Sequence, residues 1–276
     1  ISVGPNLCQG FGSCAAVCPT GAITYAFPST EDLLAYVGKV LGIYRESGGG
    51  DAKLVFFDAA SAGALSAGLA GRLPENVLPI ELEEVGSLGL EAWLACLAYG
   101  AGRVLILTGA ETPGSVRAVL DRETEVTAAI LAGMGYPAAV QAVDTADPDA
   151  LDEAVRSDAA LELGRPGRFA PPPEKRLLLR TALNLLLDQA PAPKKVVPLP
   201  KGAAFGQVRV DTAACTLCMS CVAVCPTSAL REGQGLPQLN FMERSCVQCG
   251  MCETACPEDA VTLEPRFLYD DAQRST

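Results

Sequence analysis

The sequence predicts an α/β middle domain with a parallel sheet, a small C-terminal α+β domain organised by two cysteine runs, and an N-terminal half-repeat of those runs. Three observations carry this. Strand-like and helix-like segments alternate regularly over residues 52–163, the pattern of a parallel sheet covered by helices on both faces. Two runs near the C-terminus, CTLCMSCVAVCP from Cys215 to Pro226 and CVQCGMCETACP from Cys246 to Pro257, share one spacing. An imperfect third copy begins the chain, with Cys8, Cys14, Cys18 and Pro19 in register and Phe11 where the second cysteine would stand.

The elements follow in order. Residues 31–50 read as a helix with apolar positions at helical spacing (LLAYVGKVLGIY), ending in the SGGG break at 47–50. Lys53–Asp58 is a strand by its β-branched and aromatic content. A small-residue helix is expected over Ala62–Leu73, a second strand over Asn76–Leu82, and a helix over Ser87–Gly100 closed by Gly100 and Gly102. Arg103–Thr108 (RVLILT) reads as a buried strand and Ser115–Gly133 as a long helix. Pro137–Asp144 gives a fourth strand, and Pro148–Asp158 a last helix with Asp147 as its N-cap. Cys96, inside the apolar EAWLACLAYG, reads as a buried structural thiol.

Residues 164–206 form a connector: a stiff RPGRFAPPPE, an amphipathic helix over Glu174–Gln189, and a second proline-rich spacer at 190–202. That helix can pack on the middle domain or bind a partner, and packing is the expectation. The divisions expected are 1–30 for the partial repeat, 31–51 for helix and linker, 52–163 for the α/β domain, 164–206 for the connector, 207–265 for the cysteine-rich domain, with strands near QVRV and AVTL, and 266–276 for a tail.

Composition narrows the chemistry. Hydrophobic residues make up 49% of the 276 and charged residues 19%, so the chain can build folded cores. No apolar run reaches membrane-spanning length and no signal peptide is visible, so a cytoplasmic protein without membrane insertion is expected. A net charge of −11 offers no basic face for nucleic acid; it suits steering toward a basic patch on a redox partner, or solubility alone. Histidine is absent, which removes imidazole-based triads, general bases and Rieske or His-ligated haem sites.

Each run reads C-x2-C-x2-C-x3-C-P. Three thiolates two residues apart wrap a loop around one corner of an iron–sulfur cubane, and the x3 step enters a short helix that turns the fourth thiol away. Pro226 and Pro257, with no N–H and a fixed φ, end that geometry. Zinc sites use four ligands, commonly split two and two, and fit the spacing poorly; disulfides would need an oxidising compartment. The loop GAETPGS at 109–115 lacks both the G-x-G-x-x-G and the P-loop lysine patterns, and reads as a plain strand-to-helix turn.

On these residues the C-terminal part resembles bacterial two-[4Fe–4S] ferredoxins, with eight ligand positions present. In that family the fourth cysteine of each run ligates the other cluster. The resemblance implies Cys215, Cys218, Cys221 and Cys256 for one cluster, and Cys246, Cys249, Cys252 and Cys225 for the other. Leu217, Val222, Val247 and Met251 are the expected apolar neighbours. The fold class expected is thus an α/β middle domain with a parallel sheet, a C-terminal α+β two-[4Fe–4S] ferredoxin domain and an N-terminal half-ferredoxin segment.

Two wider resemblances follow. The start from Leu7 through Pro28 and the VRVD at 208–211 resemble bacterial multi-cluster 4Fe–4S proteins, whose N-terminal pattern leaves the Phe11 position open. This chain would be their C-terminal portion. Residues 89–115 are similar to the delta subunit of methyl-viologen-reducing hydrogenase, an adapter that carries a [2Fe–2S] cluster; here Ala110 and Ser115 stand in the loop where its ligands lie. That similarity implies a related fold and docking role without the cluster. Cys8, Cys14 and Cys18 then have three possible roles: ligands of a further [4Fe–4S] or [3Fe–4S] cluster, a site plugged by Phe11, or a half that works only in a longer protein.

The expected function is single-electron relay through two [4Fe–4S] clusters to or from a redox protein partner or a larger oxidoreductase complex, without substrate chemistry of its own. The alternatives are a subunit coupled to a flavin or nicotinamide, and an interaction module with structural clusters.

Overall fold

The computed structural model describes residues 6–68, 73–270 and 273. The chain divides into two compact units, residues 1–191 and 192–276.

In the first unit the elements are α1 (Ser13–Val17), α2 (Thr30–Glu46), β1 (Lys53–Phe57), α3 (Ala59–Gly68), β2 (Val77–Glu81), α4 (Leu90–Ala98), β3 (Arg103–Thr108), α5 (Gly114–Met134), β4 (Val140–Asp144), α6 (Pro148–Arg156) and α7 (Lys175–Leu187). The four strands pair in parallel, in the order β2-β1-β3-β4. Every residue of β3 is buried, which is why it reads as a continuous apolar run with no alternation. On one face Val55, Leu105, Leu107 and Val143 meet Leu65 of α3 and Leu151 and Val155 of α6. Their neighbours Leu54, Phe56, Val104 and Ile106 are equally buried, and α4 and α5 pack against β3 and β4. Each such side chain withdrawn from water contributes about 1.5–3 kcal/mol.

Buried cationic side chains at the strand starts reach carbonyls of the neighbouring helix end. Lys53 donates to the carbonyls of Val155 and Ser157, both at 2.9 Å, and Arg103 to Ala154 O at 2.8 Å. Ala154 and Val155 are in the last turn of α6 and Ser157 is its C-cap; carbonyls there lack partners within the helix and favour a cation. The Asp147 side chain caps α6 through the N–H groups of Asp149 and Ala150, as the sequence predicts. Helix α3 begins earlier than expected, at Ala59, because Asp58 Oδ1 accepts the Ser61 N–H at 3.2 Å and starts the turn; residues 69–72 of the expected helix lie outside the described residues. Helix α4 begins later, at Leu90, after a 3₁₀ turn at Val85–Ser87. All nine of its residues are buried, Cys96 among them, and burial pushes that thiol well above its ordinary range. Helix α7 packs on α4 through Leu178, Leu179, Ala182, Leu183 and Leu186, the packed alternative for its amphipathic face.

The second unit contains β5 (Val196–Pro198), β6 (Gly206–Val210), α8 (Ser220–Ala223), β7 (Leu230–Glu232), β8 (Leu239–Phe241), α9 (Met251–Thr254) and β9 (Val261–Leu268). Strand β9 is the centre of an antiparallel sheet, β5-β9-β6, and β7 and β8 form a separate hairpin. Three differences from the sequence reading appear here. Residues 196–198, in a stretch read as spacer, form β5. Residues 266–268, read as tail, complete β9, because Phe267 is buried between Phe205 and Tyr269 with ring centroids 5.4 and 5.0 Å apart. The hairpin β7–β8 is too short, at three residues a strand, to show a period.

Candidate metal centre

The cysteine runs fold through backbone conformations that ordinary residues avoid. Among the described residues six non-glycine positions have positive φ, and five lie in or just after the runs: Leu217 (φ 56), Met219 (φ 60), Ser228 (φ 52), Gln248 (φ 53) and Asp259 (φ 48). Each costs about 1–2 kcal/mol relative to the right-handed region, and strain concentrated in one place marks a functional site. Left-handed turns swing consecutive N–H groups into a concavity that receives anions. Met219 and Gly250 (φ 80) hold matching places, each the residue before a short helix: α8, which carries Cys221, and α9, which carries Cys252.

Two cavities result. One is lined by Cys215, Cys218, Cys221 and Cys256, with Leu239 and Val261. The other is lined by Cys225, Cys246, Cys249 and Cys252, with Leu230 and Phe241. The structure therefore brings three cysteines of each run together with the fourth of the other run around each cavity. Of the expected apolar neighbours, Leu217 lines the first cavity, Val247 and Met251 the second, and Val222 packs in the core between α8 and the strands.

Backbone donors reach the sulfurs. Ala229 N donates to Cys225 Sγ at 3.2 Å, Ala260 N to Cys256 Sγ at 3.3 Å, and Gln248 N to Cys246 Sγ at 3.4 Å. The Gln248 side-chain amide adds a second donor to Cys246 at 3.4 Å, and Ser220 Oγ lies 3.4 Å from Cys218 Sγ. At Cys225 burial raises the thiol pKa, but the N–H groups of Leu230, Thr227 and Ala229 with the Thr227 hydroxyl outweigh it, and the net shift is downward. Burial raises Cys221 and Cys246. Cys252 is pushed up to about 11 by burial and then by the Cys246 thiolate. Thiolates crowded in this way need cationic compensation, which a metal supplies outright. Thiolate donors, N–H groups aimed at sulfur and an apolar lining fit an iron–sulfur cubane. Among the described residues no three His, Cys, Asp or Glu side chains converge on a single-ion site; one zinc ion would draw its thiolates in to about 2.3 Å from itself.

The N-terminal segment shares several local backbone features with the two runs. Gly10 (φ 81), Gly12 (φ 72) and Gly21 (φ 72) correspond in order to Leu217, Met219 and Ser228, and to Gln248, Gly250 and Asp259. The bond from Gly21 N to Cys18 O, 3.4 Å, matches those from Ser228 N to Cys225 O and from Asp259 N to Cys256 O, 3.3 and 3.4 Å. Burial raises the Cys18 thiol, yet donors at Ile23, Thr20 and Ala22 bring it down to about 7, and these are the same sequence offsets that serve Cys225. Cys8 and Cys14 are exposed. Gly12 has no room for a side chain: a Cβ there would lie 2.5 Å from Ser87 Cβ, so the segment lies directly against the Val85–Ser87 turn.

Sequence reasoning missed what anchors this segment. Lys175 Nζ, at the start of α7, donates to Ala15 O at 2.8 Å and Ala16 O at 2.6 Å, and pairs with Glu91 Oε1 at 3.3 Å. Glu91 is buried, and burial raises its pKa against the pull of Lys175. A lone acid inside an apolar helix (LEAWLACLA) was the available signal.

A family model described as a 4Fe–4S dicluster domain matches residues 214–261, across both runs. No curated protein matches the chain. Among the described residues no helix is long and apolar enough to cross a membrane. Residues 214–261 are a ferredoxin-type dicluster domain, and the chemistry of this part of the chain is iron–sulfur electron transfer.

Proposed function

We propose that the chain relays single electrons between a redox partner and two [4Fe–4S] clusters, one held by Cys215, Cys218, Cys221 and Cys256, the other by Cys246, Cys249, Cys252 and Cys225. The observation that carries this is the crossed set of four cysteines around each of two adjoining cavities. When bound, each cubane supplies a one-electron couple. The protein's part is to hold the thiolates, to aim the N–H groups of Gln248, Ala229 and Ala260 at sulfur, and to keep water off with Leu230, Leu239, Phe241 and Val261. Such donors stabilise the more negative, reduced state, and together with burial they set the potential.

The α/β unit is proposed as a scaffold or docking platform for a partner oxidoreductase, in the manner of the hydrogenase delta subunit. Its geometry supports this over a flavin or nicotinamide site. Ligands of such sheets sit beyond the strand ends at the point where strand order reverses, here between β1 and β3. The chain fills that place itself. Gly109 leaves no room for a Cβ against the Ala60 carbonyl, and the Asp58 carboxylate takes the N–H groups of Ser61 and Val85. Arg117 binds Thr108 Oγ1, Gly109 O and the Asp144 carboxylate.

A third cluster, [4Fe–4S] or [3Fe–4S], held in part by Cys8, Cys14 and Cys18, is the second part of the proposal. It is supported by the three shared left-handed positions. Anaerobic reductive titration with EPR tests both parts. Two electrons taken up by the C-terminal clusters, with spin-coupled [4Fe–4S] signals, are expected, and a third electron per chain or an oxidised [3Fe–4S] signal marks the N-terminal site. A chain that takes up no electrons, or whose reduced clusters pass none to any acceptor, would leave only a structural role.

A further inference from the structure

The two cysteine runs are near-copies in backbone, but they differ at the residue before the second cysteine. The first run has Leu217 there and the second has Gln248, both left-handed. Gln248 Nε2 donates to Cys246 Sγ at 3.4 Å and to Gln207 O at 3.2 Å. Both neighbours are acceptors, so the NH₂ end of the carboxamide must face them; the reversed amide would set oxygen against sulfur and oxygen. Room for the amide comes from Gly206, where a Cβ would lie 2.7 Å from Gln248 Cδ. Cys246 is buried, so the bond is shielded from competing water. Leu217 cannot donate; in or just after the first run the side-chain oxygens beside cysteines are hydroxyls, Ser220 next to the exposed Cys218 and Thr227 next to Cys225.

We infer that Gln248 is a positioning residue for the second cluster: its carboxamide, seated by Gly206 and Gln207, holds the Cys246 thiolate and raises the midpoint potential of that cluster alone. A hydrogen bond to a ligating sulfur disperses charge and so favours the state carrying the extra electron. The reduction is a simple one-electron gain from a mediator, with no bond made or broken. The inference rests on the proposed ligation by Cys246.

The test is an EPR-monitored potentiometric titration of the full chain, wild type against Gln248→Met and Gln248→Glu, with iron counted in every sample. With about eight irons retained, Gln248→Met is expected to move one midpoint to more negative potential and leave the other in place. Gln248→Glu, which replaces the donor with a carboxylate, moves the same midpoint further. Cys249→Ser identifies it, because that variant shifts or removes the signal of the second cluster only. Unmoved midpoints in fully loaded variants overturn the inference and leave the ligation standing; a wild type that never carries a second cluster overturns the ligation itself. A variant that fails to assemble is bypassed by ENDOR on the wild type labelled with ¹⁵N in the glutamine side chain. A ¹⁵N coupling to the reduced second cluster is expected, and its absence overturns the inference.

Discussion

Replacing Lys175 by methionine removes one ammonium that serves three oxygens. In the wild type that group lies 2.8 and 2.6 Å from the carbonyls of Ala15 and Ala16 and 3.3 Å from Glu91 Oε1. The Glu91 side chain is only 6% exposed, so its charge would be left without a partner, a change that costs about 3–5 kcal/mol when a buried pair is broken. Glu91 can limit the loss by taking up a proton. Burial already raises its pKa, with Lys175 opposing; without Lys175 the folded-state pKa rises further above the unfolded one. A folded state that binds the proton more tightly is relatively favoured at low pH, and the penalty grows as pH climbs through the ordinary carboxylate range. The expected loss is therefore about 3 kcal/mol or more at pH 8, smaller by at least about 1 kcal/mol at pH 5, and largely recovered in Lys175→Met/Glu91→Leu. Trp93, the single tryptophan, is fully buried two residues from Glu91, so its fluorescence during anaerobic urea unfolding reports on this unit. A loss below about 0.5 kcal/mol, independent of pH and not recovered in the double variant, would refute the reasoning.

Two further predictions follow from the geometry. Cys225→Ser is expected to disturb the cluster held by the other run, at Cys246, Cys249 and Cys252, and to spare the one held by its own; EPR of the reduced variant distinguishes this from loss of the first cluster. Gly12→Ala places a Cβ 2.5 Å from Ser87 at a φ of 72, so a loss of about 1–3 kcal/mol by the Trp93 assay is expected, and an unchanged midpoint would show that the N-terminal segment is not held against that turn.

What the sequence disclosed depended on range. Asp147, β3 and the cysteine runs are local signals: a cap and its acceptor are two residues apart, a central parallel strand is apolar throughout, and ligand spacing is covalent. The N-terminal copy was legible as a repeat of letters, and its three glycines share the left-handed conformation of the matching positions in the runs. The illegible parts are long-range. Strand β5 forms because β9 offers it an edge, and β9 runs on past Pro265 because Phe267 packs on Phe205. Lys175 meets Glu91 across more than eighty residues of chain, which no spacing rule reaches. Gln248 stood in plain view inside a run, but its role as a donor depends on Gly206 and Gln207 in β6.

Native mass spectrometry of the anaerobically prepared chain, with iron and acid-labile sulfide counted on the same sample, tests the central claim most directly. Two cubanes, about eight irons and eight sulfides in the C-terminal unit, are predicted. A chain that carries zinc, or only about four irons while all eight cysteines remain reduced, would contradict the account.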